Sequence, residues 1–260
     1  MEFFDTHAHL TDEQLASQQA DVLARARAAG VTNILAVGTT AESSRGCVEI
    51  ATQEAGIFAA VGIHPNHIPE AADGDWDRVL VLANDARTVA IGETGLDLYW
   101  KDTPLPLQQD YFDRHLRLSQ QLGLAIVIHQ RDSAAEILTM LREARKRGPL
   151  HGIMHSFTGD AAIAAECLEL GLHISFAGMV TFKNAPDLRE VAAKIPADRL
   201  LIETDSPYLT PHPFRGKRPN EPANVVHTAA CLAETRGIPL RELARITTEN
   251  ARQLLSRATR

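Results

Sequence analysis

The sequence predicts an α/β protein built as a single (β/α)8 barrel of the TIM type. Three observations carry that expectation. Eight short apolar runs alternate with stretches of helical periodicity along the whole chain. The 260 residues match the roughly 250 that such a barrel takes. No Gly/Ser/Pro-rich linker or low-complexity tract divides them, so residues 1–260 are expected to form one domain. In addition, no G-x-G-x-x-G follows the first strand, which leaves an open dinucleotide-binding sheet without its signature.

Each element has its own local reason. Phe3-Phe4-Asp5-Thr6-His7-Ala8-His9 reads as an apolar opening strand with Asp5, His7 and His9 on one parity. Residues 11–29 carry apolar residues near helical spacing and stop at Gly30. Val31 to Gly38 is a second strand, followed by Thr39-Thr40 and a helix over 41–55. Ile57 to Ile63 is a third strand ending in His64-Pro65. A weaker helix over 75–86 precedes the fourth strand, Thr88 to Glu93. The helix over 105–122 leads to Leu124-Ala125-Ile126-Val127-Ile128-His129, and the helix over 133–147 to Leu150–His155. A helix over 160–170 precedes His173–Ala177, and a short one near 186–194 leads to the eighth strand, Arg199 to Asp205. Helices over 222–236 and 240–255 close the chain.

Active sites of such barrels lie at the C-terminal ends of the strands. Read in order, those ends carry His7 and His9, His64, Glu93, His129, His155 and Asp205; only strands two and seven lack an obvious ligand there. Residues i and i+2 of a strand share a face, so His7 and His9 project side by side. An H-x-H alone is a weak signal, since 11 histidines in 260 residues give roughly half of one by chance. Each tip residue also has an ordinary explanation, such as a turn-forming aspartate before Ser206-Pro207. Four imidazoles and two carboxylates gathered at one rim do not. The set exceeds the three protein ligands of a usual catalytic zinc site and suits two divalent ions. Glu93, central in the ring, is the expected bridge between ions roughly 3.5–4 Å apart. His7 and His9 would hold one ion, and His129 and His155 the other. Asp205 would complete the first ion's coordination and orient and deprotonate the attacking water, making Asp205 and Glu93 the expected catalytic residues. Glu203 and Asp5 are expected as buried partners that orient ligand imidazoles.

Composition narrows the function. A net charge of −7 argues against coating nucleic acid by bulk electrostatics. One stretch is locally basic, His212 to Arg218, beside Asp205 and carrying Phe214. Arg215, Lys217 and Arg218 there, with Lys183 after strand seven, Arg131 beyond His129, and His64, are the candidate substrate-binding residues; Phe214 or Tyr208 could stack on a base. The histidines at 67, 115, 151, 173, 212 and 227 read as surface, capping or packing residues. Cys47, Cys167 and Cys231 show no disulfide or thiolate-site spacing. No leader-like opening and no apolar run approaching about 18 residues is present. The expectation is a cytoplasmic monomer with no membrane association.

Several of these strings resemble the motifs of the TatD-type metal-dependent hydrolases. They are Phe4-Asp5-Thr6-His7-Ala8-His9-Leu10, Gly62-Ile63-His64-Pro65, Ile91-Gly92-Glu93-Thr94-Gly95-Leu96-Asp97 and His129-Gln130-Arg131. To these are added His155-Ser156-Phe157-Thr158-Gly159, Glu203-Thr204-Asp205-Ser206-Pro207-Tyr208-Leu209 and Arg215 through Pro222. The resemblance runs in order along essentially the whole chain. It implies a TIM barrel, a divalent-metal site and a deoxyribonuclease-like 3′–5′ exonuclease that cleaves phosphodiesters through a water activated by two metals. It also implies His7, His9, Glu93, His129, His155 and Asp205 as ligands. One departure is Pro219 between Arg218 and Asn220, which touches no ligand but alters the basic loop. Magnesium fits the resemblance, whereas an imidazole-rich set favours zinc or manganese. The alternative keeps the site and changes the bond: a deacylase or amidohydrolase acting on an ester or amide such as aminoacyl-tRNA. Against it, Glu93 stands at the strand-four tip, where many binuclear amidohydrolases carry a lysine. A non-enzymatic scaffold is the third and weakest reading, because no ligand position is lost.

Overall fold

The computed structural model describes residues 1–256. Eight parallel strands follow one another in chain order around one sheet: β1 (Phe3–Ala8), β2 (Val31–Val37), β3 (Ile57–Val61), β4 (Thr88–Asp97), β5 (Ala125–Arg131), β6 (Gly152–Met154), β7 (Leu172–Phe176) and β8 (Leu200–Ile202). The seam between β8 and β1 is closed just beyond β8. The Asp205 amide donates to the His7 carbonyl at 2.9 Å, and the His9 amide to the Ser206 carbonyl at 2.8 Å. The Asp5 carboxylate supports the same seam, accepting from the Thr204 amide at 2.9 Å and from its hydroxyl at 2.5 Å. This is the barrel that the alternation predicts.

The helices wrap the outside: α1 (Glu13–Ala16), α2 (Gln19–Ala28), α3 (Ala41–Gln53), α4 (Asp75–Leu82), α5 (Leu105–Leu122), α6 (Ala134–Arg147), α7 (Ala161–Glu169), α8 (Pro186–Lys194), α9 (Val225–Arg236) and α10 (Leu240–Leu254). Strand alternation sorts the core into two layers. Ile34, Ile126, Ile128 and Ile174 pack outward against Cys47, Phe112, Leu116 and Leu141 of the helices. Leu35, Val37, Val127, Ile153 and Leu201 fill the inside of the barrel, which Ala251, Leu254 and Leu255 close from below. His129, two residues past Val127, and His155, two past Ile153, continue the inward parity. No helix among the described residues is long and apolar enough to cross a membrane.

Several boundaries differ from those expected, each for a local reason. The helix expected over 11–29 is two, because Asp12 caps a short first one through the Gln14 amide at 2.9 Å before a break at Ser17–Gln18. The helix expected from 222 opens as a 3₁₀ turn, Pro222–Asn224, and becomes α-helical at Val225. Strand β1 does not alternate simply: its register against β2 shifts twice, and all six of its residues are buried. Strands β6 and β8 are only three residues long, so His155 and Asp205 stand on the segments that follow them.

The largest departure positions the centre of the molecule. β4 does not end at Glu93 but runs on to Asp97, with a register shift against β5 between Ile91 and Thr94. Glu93 therefore projects from within a strand. Glycines make room for this irregular path. A Cβ on Gly62 would lie 2.7 Å from Gly92 Cα, and one on Gly95, whose φ is +145°, would lie 2.0 Å from the His129 carbonyl oxygen. Gly95→Ala should therefore destabilise the protein by at least about 1–3 kcal/mol from backbone strain alone, plus the clash. Gly123→Ala, where open space surrounds the position and φ is +64°, should cost only about 1–2 kcal/mol, with no clash added. Urea-denaturation midpoints of the two variants would compare them.

Candidate metal centre

Glu93 lies at the bottom of a cleft of about 960 Å³ at the C-terminal end of the strands, and is 3% exposed. Its two carboxylate oxygens face different imidazoles. Oε2 lies 3.3 Å from His7 Nε2 and 3.6 Å from His9 Nε2. Oε1 lies 2.9 Å from His155 Nε2, 3.0 Å from His129 Nδ1 and 3.5 Å from His64 Nε2. Asp205 Oδ1 completes the first side, 3.4 Å from His9 Nε2 and 3.7 Å from His7 Nε2. Three groups of converging ligand atoms result, each spanning at most 4.8 Å: His7, His9 and Asp205; His7, Glu93 and His155; and His64, Glu93 and His129.

The outward nitrogen of each ring decides which imidazoles can offer a lone pair. His9 Nδ1 donates its proton to the Val37 carbonyl at 3.1 Å. His155 Nδ1 donates to Glu203 Oε1 at 3.2 Å, and that oxygen also accepts from the Ser156 amide at 2.6 Å. His129 Nε2 donates to Asp97 Oδ2 at 3.0 Å. In all three rings the inward nitrogen is thereby left to bind a cation, the arrangement in which a ligand histidine is held by an acceptor behind it. His64 is the reverse: its Nδ1 accepts from the Asn66 amide at 3.1 Å, so its proton sits on Nε2 and points into the cleft. Although His64 lies within reach of Glu93 and His129, this tautomer makes it a hydrogen-bond donor rather than a ligand. His7 is the ring whose tautomer is left open, because its buried Nδ1 has no partner.

The electrostatics show what the pocket favours. Burial alone would push Glu93 up, but the surrounding His155, His64 and His7 hold its carboxyl well below the usual carboxylate range. Asp205 is likewise lowered: burial opposes its charge, and the bond from His9 and the nearby His7 and His155 outweigh it. Burial opposes charge on the histidines too. Even so, Glu93 and Glu203 raise His155 well above its ordinary value, and carboxylate partners raise His129 and His9. Burial, with His155 alongside, lowers His7. Burial and His129 push His64 down to about 4, so it stays neutral. A buried pocket that draws protons onto its inward nitrogens is one that positive charge stabilises. The donor set of imidazoles and carboxylates fits divalent ions of the zinc, manganese or magnesium kind.

Of the cationic residues expected at the substrate, Arg131 and Arg218 line the cleft, as does His64, while Lys183, Arg215 and Lys217 are not among its lining residues. The Arg215 guanidinium lies 4.0 Å from the Phe182 ring centroid, and Lys217 Nζ lies 5.1 Å from that of Phe214. Tyr208 lines the cleft, its hydroxyl bonded to Asp12 Oδ2 at 3.0 Å. His115 is a packing residue, as expected: it is buried and accepts from the Ile63 amide at 3.0 Å. His67, expected at the surface or in a capping or packing role, lies in the cleft wall.

Three residues with clear positions escaped the sequence reading. Asp97 Oδ2 accepts from His129 and, at 3.1 Å, from Asn66 Nδ2. Burial would raise the Asp97 carboxyl, but these bonds and the Trp100 amide hold it well below the usual range. Asn220 is fully buried and ties the Asp205 loop, donating to the Thr204 carbonyl at 3.1 Å and the Tyr208 carbonyl at 2.6 Å. The available signal was spacing: Asp97 follows Glu93 by four residues on one strand parity, and Asn66 follows His64 by two.

Comparison with known proteins places the chain in a family. A family model described as TatD related DNase matches residues 4–256. The uncharacterized metal-dependent hydrolase YabD of Bacillus subtilis (strain 168) is 43% identical over 251 residues, covering 96% of this chain and 98% of its own length. The protein named 3′-5′ ssDNA/RNA exonuclease TatD of Klebsiella pneumoniae (strain 342) is 35% identical over 255 residues, covering 96% of this chain and 97% of its own. The crystal structure of YJJV, a TatD homologue from Escherichia coli K12, superposes with a TM-score of 0.90 at 30% identity, covering 97% of each chain.

The tautomers give a direct test. His9→Ala and His155→Ala should weaken manganese or zinc uptake by chelator-stripped protein more than a hundredfold, since loss of a mere supporting partner costs 10- to 100-fold. His64→Ala should change it by less than about tenfold. Calorimetric titration of the three variants reads the difference.

Proposed function

The chain belongs to the TatD-related DNase family and is a metal-dependent hydrolase, and we propose that it removes nucleotides from the 3′ end of single-stranded nucleic acid with two divalent ions. The observation that carries the two-ion reading is Glu93, whose oxygens face two separate ligand sets. His7, His9 and Asp205 would hold one ion with Oε2, and His129 and His155 the other with Oε1. When bound, such ions supply Lewis acidity toward the phosphoryl oxygens and ease deprotonation of the attacking water. The nucleic-acid substrate is supported by the family and by the exonuclease-named relative from Klebsiella pneumoniae. The aminoacyl-ester alternative gains no support from these comparisons.

The protein's own groups have separable tasks. Asp205 is a lowered, ionised carboxylate at the cleft floor, suited to hold the attacking water and take its proton on the carboxylate. His64, neutral with its Nε2–H pointing inward, donates a hydrogen bond to a non-bridging phosphoryl oxygen. Arg131 and Arg218, on the cleft walls, neutralise flanking phosphates.

The decisive experiment follows a 5′-labelled single-stranded oligonucleotide beside a mischarged aminoacyl-tRNA. Manganese-loaded protein should produce a ladder shortened from the 3′ end, chelation should stop it, and Asp205→Ala should slow it by about 10²- to 10⁴-fold. Release of amino acid with the nucleic acid intact would overturn the nuclease reading. Glu203→Ala, which removes the acceptor behind His155, should fold normally but need about 10- to 100-fold more metal for half-maximal activity.

A further inference from the structure

We propose that Trp100, braced by Tyr99 and Arg131, is a stacking subsite for one unpaired nucleobase on the β4–β5 wall of the cleft. The subsite presupposes the nucleic-acid substrate argued above and adds where a base is held and why a single strand is preferred.

Tyr99 and Trp100 lie two and three residues past the end of β4 and are 52% and 50% exposed, among the few large apolar side chains left in solvent in the described chain. Adjacent aromatic surface left uncovered beside a functional cleft marks a contact with something outside the fold. The pair is not loosely held. Both backbone amides donate to Asp97 Oδ1 at 3.0 Å. The two rings meet edge to face, with centroids 5.1 Å apart at 87°. The Arg131 guanidinium stacks over Tyr99 at 3.8 Å and lies 5.9 Å from the Trp100 centroid. Trp100 and Arg131 line the cleft that contains His129 and Glu93, whereas Tyr99 is not among its lining residues. The result is an indole face near a guanidinium, both lining the cleft that holds the candidate metal centre. A π-face next to a cation that can pair with phosphate is the combination that binds single strands without reading sequence. A duplex keeps its base faces covered, so it has no free face to offer the indole. Tyr208 and Arg218 stand in the same cleft, next to the β8 segment, so the strand is gripped from two sides.

Binding can be read without turnover. The chain has two tryptophans, and Trp76 packs against His115 at 4.8 Å, away from the cleft. In chelator-treated protein, an oligothymidylate should quench indole fluorescence in the wild type and in Trp76→Phe, and fail to do so in Trp100→Leu. With manganese present, Trp100→Ala should raise KM for a single-stranded oligonucleotide roughly 5- to 150-fold, the worth of one base–aromatic stack, with kcat little changed. Trp100→Phe should recover most of the loss. An oligonucleotide with abasic sites at its three 3′-terminal positions should be handled alike by wild type and Trp100→Ala. If the wild type shortens the intact oligonucleotide and Trp100→Ala does so with the same KM, the subsite is wrong and the nuclease stands. If the wild type shortens no oligonucleotide at all, the nuclease reading itself falls.

Discussion

A carboxylate buried as completely as Glu93 is tolerable only if positive charge comes to meet it, and the upper half of the barrel is arranged around that demand. An isolated ionised carboxylate in an apolar interior costs many kcal/mol, so a β4 carrying Glu93 inward would be untenable without the imidazoles that surround it. Those imidazoles arrive from β1, β5 and the segments after β3 and β6, which means that most of the strand ends must be in register for any one of them to be stable. The same requirement explains the unusual glycines. Gly62, Gly92 and Gly95 crowd against the neighbouring backbones because β4 bends Glu93 toward the axis: side chains at Gly92 and Gly95 would push β5, and with it His129, away, and one at Gly62 would push β4 itself.

Behind the imidazoles stands a second ring of acceptors: the Val37 carbonyl, Glu203 and Asp97. Their effect is chemical as well as structural, because each fixes the proton on the outer nitrogen and so determines what the inner one can do. His64 receives an amide proton instead and takes the opposite role from rings only a few ångströms away. Residue type and proximity alone would assign all of these histidines the same job.

The barrel was legible because its two signals are local: apolar runs of strand length, and helical periodicity between them. The inward set of His7, His9, Glu93, His129, His155 and Asp205 was legible for a related reason, since strand parity carries a residue at i to the same side as i+2. What stayed hidden depends on long-range or backbone-donated contacts. Asp97 fell outside the expected fourth strand, which stopped at Glu93, because nothing local says that β4 continues to pair with β5 past a register shift. The tautomer of His64 depends on one amide two residues away. The basic loop looked uniform in sequence, yet Arg215 and Lys217 lie over Phe182 and Phe214 while Arg218 enters the cleft.

Asp97 shows how these layers are coupled. One of its oxygens accepts from His129, and the other holds the amides of Tyr99 and Trp100. The carboxylate that orients an imidazole of the candidate metal centre is therefore the same one that sets the aromatic ledge at the cleft mouth. A rigid link of this kind lets a group bound at the ledge and a phosphate at the centre share one frame, so that contact at one place fixes distance at the other. Such positioning is where enzymes gain much of their advantage over reactions in solution, because misplacement by about 1 Å can cost 10²-fold in rate. Glu93 supplies the charge that draws the imidazoles together, and Asp97 relates that cluster to the surface on which a substrate first lands.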